Sequence, residues 1–262
     1  MDIYVISLID AHERRTAIAK QLDKLGLAFE FFDACTGADG YQPFFDGYNA
    51  ATYKIHSRRD ALPGEIGCYA SHLSLWQRCA QTGKPMVIIE DDAILTDQLP
   101  AALQATEKVI TTCGFIRLEA NKQSSRRPRR YIPVGKVDEF EVSYIARVAL
   151  CMTGYAVSPA AAEQLAKHSK VLLAPVDRYL QRPWSHRQPL YLLSPPVVLR
   201  QQGVFASSIK TGEGAAGKLL SPSLLLRIVA IKGAYFCKRV WFNATNGRQS
   251  RANLRRALTS LN

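Results

Sequence analysis

The chain has 262 residues, 47% of them hydrophobic and 21% charged, with a net charge of +12. This is the composition of a folded globular protein, not of a disordered or fibrous chain, and no apolar run reaches the roughly 18 residues of a membrane-spanning helix. The start, Met1-Asp2-Ile3-Tyr4-Val5-Ile6-Ser7-Leu8, lacks the basic region and cleavage site of a signal peptide.

The elements follow in order. Ile3–Leu8 reads as a strand. Glu13–Leu25 reads as a helix with Ile18, Leu22 and Leu25 on one face and Gly26 as its stop. Phe29–Phe32 is a short strand, and Asp39–Asp60, without clear period, reads as a long loop. Glu65–Gln81 is a helix whose buried stripe is Ile66, Tyr69, Ala70, Leu73, Trp76 and Ala80, ended by Gly83. Met86–Ile89 is a buried strand that runs into Glu90-Asp91-Asp92. Leu99–Thr111 reads as a helix, Phe115–Leu118 as a strand and Asn121–Arg130 as an Arg-rich loop. Arg147–Met152 reads as a buried strand leading into Thr153-Gly154-Tyr155. Ser158-Pro159, a cap followed by a first-turn proline, opens a helix to about His168, and Leu190–Leu193 is a late strand. The alternation predicts an α/β domain with a mostly parallel sheet, whose ligands gather at the carboxyl ends of strands.

The six cysteines are scattered without a CxxC pair, and Cys68, Cys79 and Cys151 lie in apolar patterns. Buried thiols are predicted rather than disulfides or zinc ligands, in keeping with a reducing cytosol. Charge is uneven: residues 210–262 hold ten Lys and Arg against one acid, Glu213, so +9 of the net charge lies there. The chain therefore divides into a domain over 1–209 and a basic helical tail over 210–262. Within Leu224–Trp241, the four cations Arg227, Lys232, Lys238 and Arg239 fall within roughly 140° of a helical wheel. Leu225, Leu226, Val229, Phe236 and Val240 lie on the other side, and Arg248, Arg251 and Arg255 continue a basic stripe. Such a helix suits an anionic membrane surface, the inner face of the cell membrane; packing on the domain or on a partner is the alternative. A basic nucleic-acid-binding protein is a reading of another class, but the chain has no aromatic–basic RNA motif and no nucleic acid is expected. Oligomeric state is not readable.

The acidic triplet concentrates the chemistry. Strand alternation sends Glu90 and Asp92 one way and Asp91 the other. Carboxylate oxygens on one face suit Mn²⁺ or Mg²⁺ with a diphosphate; a solvated acidic turn is the alternative. The order of the surrounding motifs adds to this: Tyr4-Val5-Ile6-Ser7-Leu8 with Glu13-Arg14-Arg15, Phe29-Glu30-Phe31-Phe32-Asp33-Ala34, Gly64-Glu65-Ile66-Gly67-Cys68 with Ser71-His72 and Trp76, then the acids, Gly154-Tyr155-Ala156, Pro175-Val176-Asp177 and Ser207-Ser208-Ile209.

This order, over about Ile3 to Ile209, resembles glycosyltransferase family 25, the bacterial lipooligosaccharide galactosyltransferases and their collagen-modifying relatives. The resemblance implies a GT-A (Rossmann-like) fold, a UDP-sugar donor and inverting, metal-dependent transfer of galactose to a glycolipid or oligosaccharide, giving a β-galactosyl product. UDP-glucose or an N-acetylhexosamine donor, or a protein hydroxylysine acceptor, are alternatives within the family. The resemblance assigns the triplet to the family's metal- and donor-binding acids. Asp92 is the stronger metal ligand, and Glu90 stands where a strict Asp-x-Asp has Asp, as a second ligand or donor contact. Asp91 belongs to the same donor-binding motif. Ser7, Leu8, Arg14 and Arg15 resemble the nucleotide-binding start, and Asp33 sits where a strand-end acid can hold uracil or ribose.

Asp177 is the candidate base and Glu65 its rival; their alternatives are a helix cap and a first-turn acid. His72 is read as a donor or phosphate contact, or else as a buried hydrogen-bonded histidine. His186 matches no metal motif.

Overall fold

The computed structural model describes residues 1–119, 131–200 and 222–261. The first part alternates as expected: β1 (Asp2–Ser7), α1 (His12–Lys24), β2 (Glu30–Asp33), β3 (Gly47–Tyr48), α2 (Ala50–Ser57), α3 (Pro63–Thr82), β4 (Met86–Glu90), β5 (Ala93–Leu95), α4 (Leu99–Cys113) and β6 (Phe115–Arg117). Then come β7 (Tyr131–Val137), β8 (Phe140–Ile145), β9 (Gly154–Val157), α5 (Pro159–Lys167), β10 (Val171–Leu172), α6 (Val176–Leu180), α7 (Pro183–His186), β11 (Tyr191–Ser194) and β12 (Val198–Arg200). Two helices end the chain, α8 (Pro222–Ala244) and α9 (Asn246–Thr259). The Arg126–Arg130 run, Ser207-Ser208-Ile209 and the 209/210 division lie outside the described residues.

Eight strands form the main sheet in the order β2-β1-β4-β9-β6-β11-β8-β7. The two-residue period of a strand sorts its faces. Ile3 and Val5 of β1 and Val87 and Ile89 of β4 enter one core cluster. Tyr4, Ile6, Met86 and Ile88 enter the other. Residues of α1, α4 and α9 complete the first cluster, and residues of α3, α5 and α6 the second. Helices thus cover both faces of one sheet, and burying both faces accounts for the near-continuous apolar run of β4.

The sheet is mixed, which corrects the expectation of a mostly parallel one. β1 runs parallel to β2 and β4, and β11 to β6. β9 lies antiparallel between β4 and β6. β8 is antiparallel to β11 and to β7, the latter joined to it by a short hairpin. Two local readings also change. Residues 147–152 form no strand; their carbonyls are satisfied by side chains instead, with Arg117 donating to Ala149 O and Cys151 O and Gln181 to Val148 O. The predicted 39–60 loop contains β3 and α2, the latter capped by Asn49, whose side chain accepts from Thr52 N at 2.9 Å.

The tail splits its roles. Leu254 and Leu258 of α9 are buried in the first core cluster, so α9 closes the sheet beside β7 and α4. Arg251 does not continue an outward basic stripe: its guanidinium lies 4.9 Å from the Tyr144 ring, while Arg248 and Arg255 are exposed. On α8, Phe242 is buried and Tyr235 stacks on His56 with centroids 5.6 Å apart. The opposite face of α8 presents Leu226, Val229, Phe236, Val240 and Trp241 to the outside. No described helix is long and apolar enough to cross a membrane.

Candidate active site

The carboxyl ends of β1, β2 and β4 lie side by side, and the acidic triplet falls there. Glu90, the last residue of β4, shares the α3-facing side with Met86 and Ile88, and its Oε1 lies 3.6 Å from His72 Nε2 of α3. Asp91 turns to the other face. Its Oδ2 accepts a 2.6 Å hydrogen bond from Ser7 Oγ, and its Oδ1 pairs with Arg14 at 3.2 Å. Burial raises the Asp91 carboxyl above its usual range despite both donors. Beyond the strand, Asp92 meets Arg200 of β12, Oδ2 to Nε at 3.5 Å, while its Oδ1 is buried without a hydrogen-bond partner among the described residues. Burial, followed by the charge of Glu90, pushes the Asp92 carboxyl up to about 6.

The nucleotide-side residues predicted from sequence are drawn together, partly by binding one another. Arg15 donates to Leu8 O and Ser7 O, each at 3.0 Å, and pairs with Asp33. It also lies over the Phe31 ring at 4.7 Å. Arg15 therefore ties the ends of β1 and β2, and Arg14 with Ser7 stabilises Asp91. The Asp33 carboxylate stays largely exposed beside them.

A cavity of about 510 Å³ opens on the α3 side, within the usual size of a small-molecule site. Glu65, Cys68, Glu90 and Asp177 line it, with Arg58, Arg178 and Arg200 around them. Asp177 is the second residue of α6, not the N-cap, which is Pro175. Burial raises its carboxyl above the usual range; the Arg178 charge opposes this. Glu65 is differently placed. Its oxygens accept from Arg59 at 2.6 and 3.0 Å, from Tyr53 Oη at 3.0 Å and from Leu62 N at 3.1 Å. The last bond closes the first turn of α3 from within. Glu65 is thus committed to its neighbours, whereas Asp177 has only the Arg178 backbone N–H and charge as described partners.

His72 is fully buried; its Nδ1 lies 2.9 Å from Tyr155 Oη, which also accepts from Trp76 Nε1 at 2.9 Å. His186 is buried away from the acids, with burial holding its pKa down to about 3.

The donor set fits a divalent cation. Asp92 has an orphaned buried oxygen, and it shares a desolvated space with a second carboxylate that raises its pKa. A cation held by Asp92 and Glu90 would relieve both costs, and hard oxygen donors match Mn²⁺ or Mg²⁺.

Several positioning residues escaped the sequence reading. The buried Arg117–Glu119 pair holds the backbone around the cavity-lining residues 150–152: Arg117 donates to Ala149 O and Cys151 O, Glu119 accepts from Thr153 N at 2.6 Å, and Thr153 O accepts from Glu90 N at 2.8 Å. Arg200 also went unread, because only the β5–β12 pairing brings it to Asp92. Gly67 and Ser71, visible as motif residues, have structural reasons. A Cβ at Gly67 would lie 2.2 Å from Cys35 O. Ser71 Oγ accepts from Cys35 N at 2.9 Å, so α3 is moored to the loop after β2.

Comparison with known proteins gives matches over most of the chain. Residues 1–180 match the family described as glycosyltransferase family 25 (LPS biosynthesis protein). The chain is 28% identical over 224 residues to the lipooligosaccharide biosynthesis protein lic2B of Haemophilus influenzae, covering 79% of each. It is 27% identical over 219 residues to a putative glycosyltransferase of Haemophilus influenzae, covering 80% of this chain and 75% of that protein. A shorter match, 33% over 96 residues, is to the lacto-N-neotetraose biosynthesis glycosyltransferase LgtE of Neisseria meningitidis, covering 36% of this chain and 33% of that one.

Proposed function

Because the chain belongs to glycosyltransferase family 25, we propose that it moves galactose from UDP-galactose to a saccharide of lipooligosaccharide, with inversion and with a divalent cation. The observation that carries this reading is the convergence of Glu90, Asp92 and Asp177 at the carboxyl end of β4 and its adjoining cavity. The lipooligosaccharide and lacto-N-neotetraose names of similar proteins support the acceptor class; galactose rests on the motif resemblance.

In this reading the acceptor hydroxyl enters from the cavity, and Asp177 takes its proton as the new oxygen–carbon bond forms at C1. The bond from C1 to the β-phosphate oxygen breaks on the opposite face, and UDP leaves with that electron pair. Mn²⁺ or Mg²⁺, when bound, supplies Lewis-acid neutralisation of the departing diphosphate. Asp92 and Glu90 would hold it. Ser7 and Arg14 keep Asp91 in place behind them, and Arg15 ties the β1 and β2 ends into the edge on which the nucleotide would rest, with Leu8 and Asp33 at its border. The burial-raised pKa of Asp177 strengthens it as a base while it remains ionised.

In the same proposal, the outer face of α8 meets an anionic lipid surface, peripheral to the inner face of the cell membrane. Leu226, Val229, Phe236, Val240 and Trp241 point outward, and Lys232 and Lys238 are exposed on either edge of that stripe.

A donor panel of UDP-galactose, UDP-glucose and the two UDP-N-acetylhexosamines tests the reading, with Mn²⁺ and after chelation. Transfer from UDP-galactose with a β-linked product by NMR is expected. Preference for another donor would overturn the galactose assignment, an α-linked product the inversion, and full activity after chelation the metal.

A further inference from the structure

We propose that Cys68, His72 and Glu90 form a second cation site, one for a thiophilic divalent ion such as Zn²⁺, beside the Asp92 carboxylate and open to the cavity. The sequence pattern argued against zinc because no cysteines are paired. The site is assembled instead from one cysteine and two residues of other types.

Cys68 and His72 are four residues apart on α3 and so share one face of the helix. Glu90 ends the strand that faces them. One ligand atom from each lies within 4.8 Å of the other two. The His72 Nε2 to Glu90 Oε1 distance is 3.6 Å, near the roughly 3.4 Å between nitrogen and oxygen ligands of a tetrahedral zinc ion with bonds of about 2.0–2.1 Å.

An independent sign comes from His72 itself. Its ring is fully buried, yet Nε2 has no hydrogen-bond partner among the described residues. A buried polar atom left unpaired calls for an explanation, and a missing ligand supplies one. The other ring nitrogen is already held: Nδ1 lies 2.9 Å from Tyr155 Oη, whose oxygen also takes Trp76 Nε1–H, and metal binding at Nε2 would set the tautomer in which Nδ1–H is the donor. Tyr155 is itself clamped on Phe115, with centroids 4.5 Å apart. A metal-binding histidine is oriented in this way, with its second nitrogen anchored behind it.

The ligand chemistry selects the ion. A thiolate and an imidazole favour Zn²⁺ over Mg²⁺ or Mn²⁺, which take oxygen-rich sites. Binding exchanges the Cys68 thiol proton for a sulfur–zinc bond, and the proton leaves to solvent. Thiolate, carboxylate and Zn²⁺ then sum to no net charge. The fourth position faces the cavity, because Cys68 and Glu90 both line it. Cys151, the other thiol there, is engaged with Glu119 and Thr153. An ion at this site withdraws Glu90 from the Asp92 side, so Zn²⁺ is expected to slow transfer where Mn²⁺ supports it. The binding inference rests on three side chains and stands apart from the transferase reading.

The test uses the full chain with the exposed Cys237 replaced by Ser. Co²⁺ is titrated alone and followed by its thiolate charge-transfer absorption, and Zn²⁺ is measured by equilibrium dialysis without donor or acceptor. One Zn²⁺ per chain and a thiolate–Co²⁺ band are expected. Cys68→Ser should lose the band and at least tenfold in Zn²⁺ affinity while keeping its melting temperature. Cys68→Ala serves in its place if the serine protein is unstable. Glu90→Gln should keep the band and weaken binding. Co²⁺ bound without a thiolate band, or unchanged Zn²⁺ affinity in either variant, would overturn the proposal.

Discussion

Replacing Asp92 by Asn should make the metal-free protein more stable and the enzyme inactive. The Asp92 carboxyl is held at about 6 against an ordinary 3.8, by burial first and the Glu90 charge second. At about 1.36 kcal/mol per pH unit, keeping it ionised costs the fold roughly 3 kcal/mol at neutral pH. The sign follows from proton counting. Between about pH 4 and 6 the folded chain keeps a proton that the unfolded chain has released, so stability falls as pH rises through that window. Below it the cost vanishes. Asparagine removes the charge and the cost, and should raise the melting temperature at pH 7 by about 6–12 °C, given about 2–4 °C per kcal/mol in domains near this size. The gain should shrink towards zero near pH 4. Saturating Mn²⁺ should stabilise the wild-type chain and leave the variant almost unmoved, while transfer falls by about 10²–10³-fold. Thermal melts at pH 4 and 7, with and without Mn²⁺, decide the matter. An Asn variant no more stable than wild type at pH 7, or an equal Mn²⁺ shift in both proteins, would refute the reasoning.

Asp177→Asn should lower kcat by about 10²–10⁴-fold with little change in donor KM, measured by product formation at saturating acceptor. Glu65→Gln should act on stability more than on chemistry, because Arg59 and Tyr53 lose a charged acceptor; a lower melting temperature with kcat within a few-fold is expected. Arg117→Met leaves Glu119 buried without its cation and should cost about 3–5 kcal/mol in denaturant unfolding, much of it recovered in Arg117→Met/Glu119→Leu. Lys232→Ala/Lys238→Ala should weaken binding to phosphatidylserine vesicles about 30-fold, at about 1 kcal/mol per membrane-proximal cation, read by sedimentation.

What the sequence could express was local. The continuous apolar runs of β1 and β4 mark strands buried on both faces, their residues sorted between the faces by the two-residue period, and the Ile66–Trp76 stripe is a helical one, so these elements were legible. Glu90 and Asp91 pointing apart follows from the same period. Strand direction is not a local property. β9 enters antiparallel between β4 and β6, and nothing within Gly154–Val157 encodes that. Residues 147–152 are apolar enough to imitate a strand, but Arg117 and Gln181, distant in sequence, take their carbonyls. The role of Glu65 was similarly hidden, since its partners Arg59 and Tyr53 come from α2 and the turn after it. Among the described motifs, those at Ser7, Asp33 and Glu90 end strands, those at Glu65 and Asp177 lie in the first turn of helices, and Gly154 opens the antiparallel β9.

The two faces of α8 are back to back on one helix. Tyr235 on the inner face stacks on His56, which lines the cavity, and Arg182 Nη1 lies 3.3 Å from the Nε2 of that histidine. With the outer face on lipid, the cavity mouth would sit at a fixed height above the headgroups. An acceptor anchored in the same leaflet would then reach Asp177 by lateral diffusion, and the relevant concentration would be molecules per unit area. Turnover would depend on how densely the acceptor populates the leaflet, and dilution of the surrounding solution would leave it unchanged.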